Sequence, residues 1–188
     1  MYKDKGVFKK FKKKIMYGLL GNKVIFKNWD DVEGIRDTLK TKKIQGIIIS
    51  GSDYFIKAKE HSTIDECIIN SNIPILAICY GFQCFVNKFG RSSYIKKYKD
   101  GYRKYSVSFS IPEPFYIPKN RYIFLHTDYI VKVPKIFKII KKLKNKIVIA
   151  YNCKRNILAV QFHPEKNKKT CRSFLNMWIN NCILQQRK

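Results

Sequence analysis

The chain has 188 residues, 39 Lys plus Arg against 13 Asp plus Glu and a formal net charge of +26, with 45% hydrophobic residues. That length suits one domain, residues 1–188, with a sizeable core, and no apolar stretch is long enough for a signal peptide or a membrane span, so the expected location is cytoplasmic. The charge makes a positive field with non-specific attraction to nucleic acid, but the lysines are spread over the whole length without a nucleic-acid module, the pattern of solvated faces.

Seven lysines fall within residues 3–14, with Phe8, Phe11, Ile15, Met16 and Leu19 at helical intervals. The spacing predicts a basic amphipathic helix over residues 1–20 that Gly21-Asn22 ends. Val24-Ile-Phe reads as a short strand, and the acidic start at Asp30-Asp31 as the first turn of a helix. Gln45 to Ser52 is a buried strand that ends in Ser-Gly-Ser, where a close approach of backbone is expected. Residues 61–72 read as a helix with Ile64, Cys67 and Ile68 inward, and His61 as a surface residue.

Ile75-Leu-Ala-Ile after Pro74 is an apolar run suited to a strand covered on both faces. Apolar residues at 82, 85, 86 and 89 then follow helical spacing, so Cys79 falls in a tight strand-to-helix turn that presents its side chain outward. Tyr102 to Ile111 reads as a strand or hairpin arm, and Pro112, Pro114 and Pro118 exclude a helix after it, in a stretch expected to cover one edge of the cleft. Tyr122 to Val133 carries His126 and Asp128. Residues 136–146 read as a lysine-rich helix or helix-like loop, Ile147 to Tyr151 as a strand, and residues 171–184 as a closing helix.

Ile157 to Val160 is a further buried strand, after which the chain delivers His163 and Glu165. Pro164 biases His163 toward an extended backbone, and side chains two apart then leave on one side, so Glu165 can orient the imidazole. A cysteine, a histidine and a carboxylate in these places fit a triad: Cys79 attacks, His163 moves the proton and Glu165 fixes the tautomer. The five other cysteines, at 67, 84, 153, 171 and 182, show no Cys-x-x-Cys or zinc-ligand spacing and read as reduced thiols. No metal or organic cofactor is required.

Ala-Ile-Cys-Tyr-Gly-Phe-Gln at 77–83 with Gln-Phe-His-Pro-Glu at 161–165 resembles the paired signatures of the class I, triad-type glutamine amidotransferases. Tyr80 and His-Thr-Asp at 126–128 are most similar to the amidotransferase domain of GMP synthetases. The resemblance covers about residues 20–184 and implies an α/β, flavodoxin-like fold with a mostly parallel central sheet flanked by helices. It implies glutamine as substrate, the N–H groups of Ser52 and Tyr80 as oxyanion hole, and Gly51, Gln83, His126 and Asp128 as substrate-binding or cleft residues. It also implies a separate ammonia-consuming synthetase chain as partner. The sequence departs from the family pattern at Ser52 and Asp53, where the oxyanion loop has Gly-Pro, at Thr127, which replaces a glycine, and in lacking a candidate for the family's first strand. A stand-alone γ-glutamyl hydrolase, or a non-catalytic regulatory protein on the same fold, are the alternative readings.

Overall fold

The structure is a computed structural model and describes residues 5–19, 21–56 and 63–183. The helices are α1 (Lys5–Gly18), α2 (Val32–Thr41), α3 (Glu66–Ile69), α4 (Tyr80–Phe89) and α5 (Lys168–Trp178). The strands are β1 (Ile47–Ile49), β2 (Ile75–Ile78), β3 (Ile95–Lys97), β4 (Arg103–Ile111), β5 (Ile117–His126), β6 (Asp128–Ile130), β7 (Lys138–Leu143), β8 (Lys146–Asn152) and β9 (Ile157–Val160). His61 lies outside the described residues, as do the ends of the predicted first, third and closing helices.

One sheet runs in the order β1-β2-β9-β8-β6-β3, with β7 also paired to β8, and β4 and β5 form a separate two-stranded sheet. The expected parallel arrangement holds for β1, β2 and β9, whose residues advance in step from Ile47 beside Ile75 to Ile78 beside Val160. The other pairings of the large sheet are antiparallel, so the sheet is mixed rather than mostly parallel. The parallel strands β2 and β9 are buried at all four positions, which explains their unbroken apolar sequences.

Two apolar layers flank the sheet. On one side Phe11, Ile15 and Leu19 join Phe174, Leu175 and Trp178, so the lysine-rich first helix is an ordinary amphipathic helix packed on α5. Gly18 permits this approach, since a Cβ there would lie 2.6 Å from both Cys171 Sγ and Leu175 Cδ1. On the other side Phe82, Phe85 and Val86 of α4 pack with Ile130, Phe137 and Ile147.

Three predicted elements differ. Residues 24–26 form no strand; Val24 and Phe26 pack their side chains on the core without joining a ladder. Among the described residues of the predicted helix over 61–72 only α3 is helical, because Asp65 accepts from Cys67 N–H at 2.9 Å and so caps at that point. Residues 138–143 are a strand, not a helix. Ile136, Ile139, Ile140 and Leu143 have helical spacing in the sequence, but two register shifts in the β7–β8 pairing interrupt the alternation of a strand and produce that spacing. Lys144, at φ 54°, makes the turn that folds β7 back on β8.

Candidate active site

Cys79 occupies the junction of β2 and α4. Its φ of 52° and ψ of −101° are unusual for a residue with a side chain, and they fix a sharp turn directly between a strand and a helix. The turn is held by Cys79 N–H donating to the carbonyl of Val160 at 2.7 Å, at the end of the neighbouring parallel strand. Gly81 is needed just behind it, because a Cβ at that position would lie 2.9 Å from the backbone oxygen of Ile49.

Beside it, β9 delivers Gln161 and His163. Gln161 Nε2 lies 3.5 Å from Cys79 Sγ, and Sγ lies 3.7 Å from the carbonyl of Leu125. His163 N–H donates to the carbonyl of Ile123 at 2.8 Å, which anchors the histidine to the two-stranded sheet. His163 is extended, at φ −106° and ψ 92°, as expected before proline. Pro164–Lys166 then form one 3-10 turn, so it is a turn rather than a continued strand that brings Glu165 Oε1 to 2.7 Å from His163 Nδ1. The imidazole donates this hydrogen bond from Nδ1, which leaves Nε2 as its other reactive nitrogen.

The electrostatics of the pair follow from burial. Removal from water by itself disfavours the charged imidazole, but the carboxylate of Glu165 and then the sulfur of Cys79 outweigh it and raise the proton affinity of His163. Burial likewise disfavours the carboxylate, and the imidazole overcomes this to hold Glu165 below its ordinary range. Burial pushes the thiols of Cys84, Cys171 and Cys182 up to about 12. Those three are therefore protonated core cysteines of the usual kind.

Gly51 is the point where the candidates converge. A Cβ built on it would lie 2.7 Å from His163 Cε1 and 3.6 Å from Cys79 Cβ, so the turn after β1 passes directly against both. Ser52 follows without a left-handed backbone, and its Oγ accepts from Tyr54 N–H at 3.0 Å, a local turn that accommodates a serine at this point. A cavity of about 180 Å³ opens beside the thiol, lined among others by Ser52, Cys79, Tyr80, Gln83, His126 and Asp128. Six residues predicted from the sequence thus share one cavity, while His163 and Glu165 are buried next to it.

Gln83 Nε2 donates to the carbonyl of Asp128 at 3.0 Å, which ties α4 to β6. His126 Nε2 lies 3.3 Å from Tyr105 Oη, which lies 3.3 Å from Tyr98 Oη. Burial lowers His126 to about 4, so it is neutral at physiological pH. Gln161, Asp53, Thr127 and Tyr102 also adjoin the thiol or its cavity, and the sequence alone does not single them out as site residues. Gln161 precedes His163 by two at a strand end, so period-two geometry could have placed it toward Cys79. Tyr102 begins the stretch that the sequence places over one edge of the cleft, and it lines the cavity. Among the described residues no group of His, Cys, Asp and Glu could hold a metal ion, and no helix is long and apolar enough to cross a membrane.

A cysteine on a strained strand-to-helix turn, with a buried His-Glu pair just after the adjacent parallel strand, is a geometry compatible with nucleophilic chemistry at the thiol. The family model described as glutamine amidotransferase class-I matches residues 7–181, and the chain belongs to that family. It is 30% identical over 158 residues to the glutamine-hydrolyzing GMP synthase of Wigglesworthia glossinidia brevipalpis, covering 78% of this chain and 30% of that protein. The corresponding enzyme of Borrelia garinii subsp. bavariensis is 38% identical over 136 residues, 68% of this chain and 25% of that one. The chain thus spans between a quarter and a third of the length of these curated relatives. Among solved structures it resembles a putative GMP synthase subunit from Thermoplasma acidophilum, with 25% identity, a TM-score of 0.57 and coverage of 80% of this chain and 79% of that one. A glutamine amidotransferase structure at 12% identity and a TM-score of 0.54, covering 91% of this chain and 93% of that one, supports the fold.

Proposed function

We propose that this chain hydrolyses the side-chain amide of glutamine and supplies the ammonia to a separate synthetase chain, in the manner of a GMP synthase glutaminase component. The observation that carries the reading is the convergence on Gly51 of Cys79 and His163, with Glu165 fixed on the far nitrogen of the imidazole. Cys79 passes its proton to His163 as Sγ attacks the amide carbon, and the N–H groups of Ser52 and Tyr80 take the developing oxyanion. His163 gives its proton to the departing nitrogen, the C–N bond breaks, and ammonia leaves a thioester on Cys79. Water, deprotonated by His163, then releases glutamate. Gly51, Gln83, His126 and Asp128 shape the cleft for glutamine. The likeness of the chain to glutamine-hydrolyzing GMP synthases favours an ammonia-consuming partner of that type.

Intact-mass labelling with a diazo-ketone glutamine analogue tests the site. One adduct, suppressed by excess glutamine and absent from Cys79→Ala, is the expected result. Undiminished glutamate release by Cys79→Ala would overturn the assignment.

A further inference from the structure

Gln161 is buried, 1% exposed, in the bend that leaves β9 just before His163. Its backbone N–H donates to the carbonyl of Val148 at 2.9 Å, which fixes the residue to β8. The residue before it, Val160, accepts from Cys79 N–H at 2.7 Å, and Gln161 Nε2 itself lies 3.5 Å from Cys79 Sγ. Two consecutive residues at one anchored strand end therefore hold the backbone and the sulfur of Cys79.

The amide is poorly suited to packing alone. Its Oε1 is buried and has no hydrogen-bond partner among the described residues. An acceptor left in that condition is destabilising, and an apolar side chain of similar volume would carry none. What the side chain does make is the hydrogen bond to sulfur. On its other side, Sγ lies 3.7 Å from the carbonyl of Leu125, an acceptor to which the thiol donates. A thiol has one proton, so toward Gln161 the sulfur is the acceptor and the amide presents N–H. Loss of that proton ends the bond to Leu125 and turns the bond from Gln161 into a charge-assisted one to an anion.

We infer that Gln161 is a positioning residue for Cys79: its Nε2–H holds the sulfur against the end of β9 and favours the thiolate there. The proton leaves Sγ for His163, as in the proposed reaction, and no covalent bond changes on Gln161. Because the amide is neutral, its donor is present whether or not His163 carries a proton. The strand end thus brings two different aids to one sulfur, a base at 163 and a fixed donor two residues before it. The inference rests on Cys79 being the nucleophile.

The test is alkylation of Cys79 by iodoacetamide, read by peptide mass spectrometry as a function of pH. It compares the native chain with Gln161→Met, which keeps the length of the side chain without its donor. The pH of half-maximal rate should rise by about one unit in the variant, the effect of removing one hydrogen bond to an anion. The rate at high pH should be equal or higher, since the thiolate then forms unaided and is the more basic. The midpoint of chemical denaturation should not fall, because the unpartnered Oε1 is removed with the amide. With glutamine, kcat below that pH should fall severalfold while KM changes little, as Gln161 is not among the residues lining the cavity. In the native chain the side-chain amide resonances of Gln161 should move through the same pH as the alkylation and stay fixed in Cys79→Ala, a readout that needs no variant at 161. Loss of glutamate release in Cys79→Ala, together with an unchanged alkylation midpoint in Gln161→Met or with Gln161 resonances that ignore the ionisation of Cys79, overturns the role of Gln161 alone. Undiminished release by Cys79→Ala overturns the nucleophile assignment and this inference with it.

Discussion

His163 Nδ1 and Glu165 Oε1 meet at 2.7 Å with side chains only 7% and 1% exposed, joined through the single turn that Pro164 begins. The pair is thus sequestered from water and locally closed, since two residues and one proline suffice to build it. Its position depends on longer connections: His163 is pinned by Ile123 of β5, and Cys79 by Val160 of β9. Cys79 and His163 are therefore fixed by strands of different sheets, β9 of the large sheet and β5 of the two-stranded one.

Replacing Glu165 with Gln keeps the volume and removes the charge that supports the imidazolium. Glutamate release should fall by roughly two to four orders of magnitude, the range of positioned acid-base catalysis. The accompanying stability effect has a defined pH window. His163 is raised above its ordinary value of 6.5, so its share is full below 6.5 and is lost as pH rises through the folded value. Glu165 is depressed below 4.5, so its share is full above 4.5 and is lost as pH falls through the folded value. The denaturation midpoints of the native chain and Glu165→Gln should differ most between pH 4.5 and 6.5. A gap that is constant with pH would contradict the ion pair.

His126 gives a separate acid sensitivity. Burial first, opposed by the Asp128 backbone and assisted by the positive charges of His163 and Lys146, brings it from 6.5 to about 4. The folded state therefore refuses a proton that the unfolded chain accepts below pH 6.5, and stability present above 6.5 is lost as pH falls toward 4. The loss is of order 3 kcal/mol for a shift of this size. Denaturant titrations of His126→Gln should show a flatter dependence between pH 4 and 6.5 than the native chain. An unchanged slope would mean that His126 is not held neutral.

The strand-to-helix turn at Cys79, the nearness of His163 to Glu165 and the parallel strands could be read from the chain because each is specified locally. Ile75 to Ile78 is apolar because both faces are covered, and Pro164 enforces the backbone that presents His163. What escaped was specified by distant partners. The bulges of β7 gave Ile139 and Leu143 the spacing of a helix, and only the adjacent β8 makes that segment a strand. The antiparallel half of the sheet was hidden for the same reason, since register and direction reside in pairings rather than in one segment.

Phe162 links these levels. It is fully buried and its ring meets those of Tyr122 at 4.4 Å, Phe174 at 5.4 Å, and Phe109 and Phe124 at 6.0 Å each, so it joins β9 to the two-stranded sheet and to α5. Phe162→Ala should cost about 3–5 kcal/mol, a large part of the stability of a domain of this size. Because residues 161 and 163 flank it, glutamate release at temperatures where the variant is still folded should also fall. Near-native stability by chemical denaturation would contradict this packing role.

Two glycines near Cys79 should separate activity from stability. An added methyl at Gly51 would meet the imidazole carbon of His163 at 2.7 Å, with no backbone in conflict, so the ring must move away from its position beside the thiol. Gly51→Ala should therefore lower glutamate release by tenfold or more, since small misplacements of reacting groups have large kinetic effects, while shifting the denaturation midpoint little. At Gly81 the added methyl would meet the carbonyl oxygen and the Cγ2 of Ile49, both at 2.9 Å. Neither a strand carbonyl nor a packed isoleucine can yield as freely as a side-chain ring that lies next to a cavity. Gly81→Ala should thus destabilise the fold by about 1–3 kcal/mol, the range for overpacking, because α4 must shift from β1. Measuring both variants by denaturant titration and by glutamate release resolves the pair. A stability loss at Gly51 as large as that at Gly81, with activity intact, would show that the loop after β1 supports the fold rather than positioning His163.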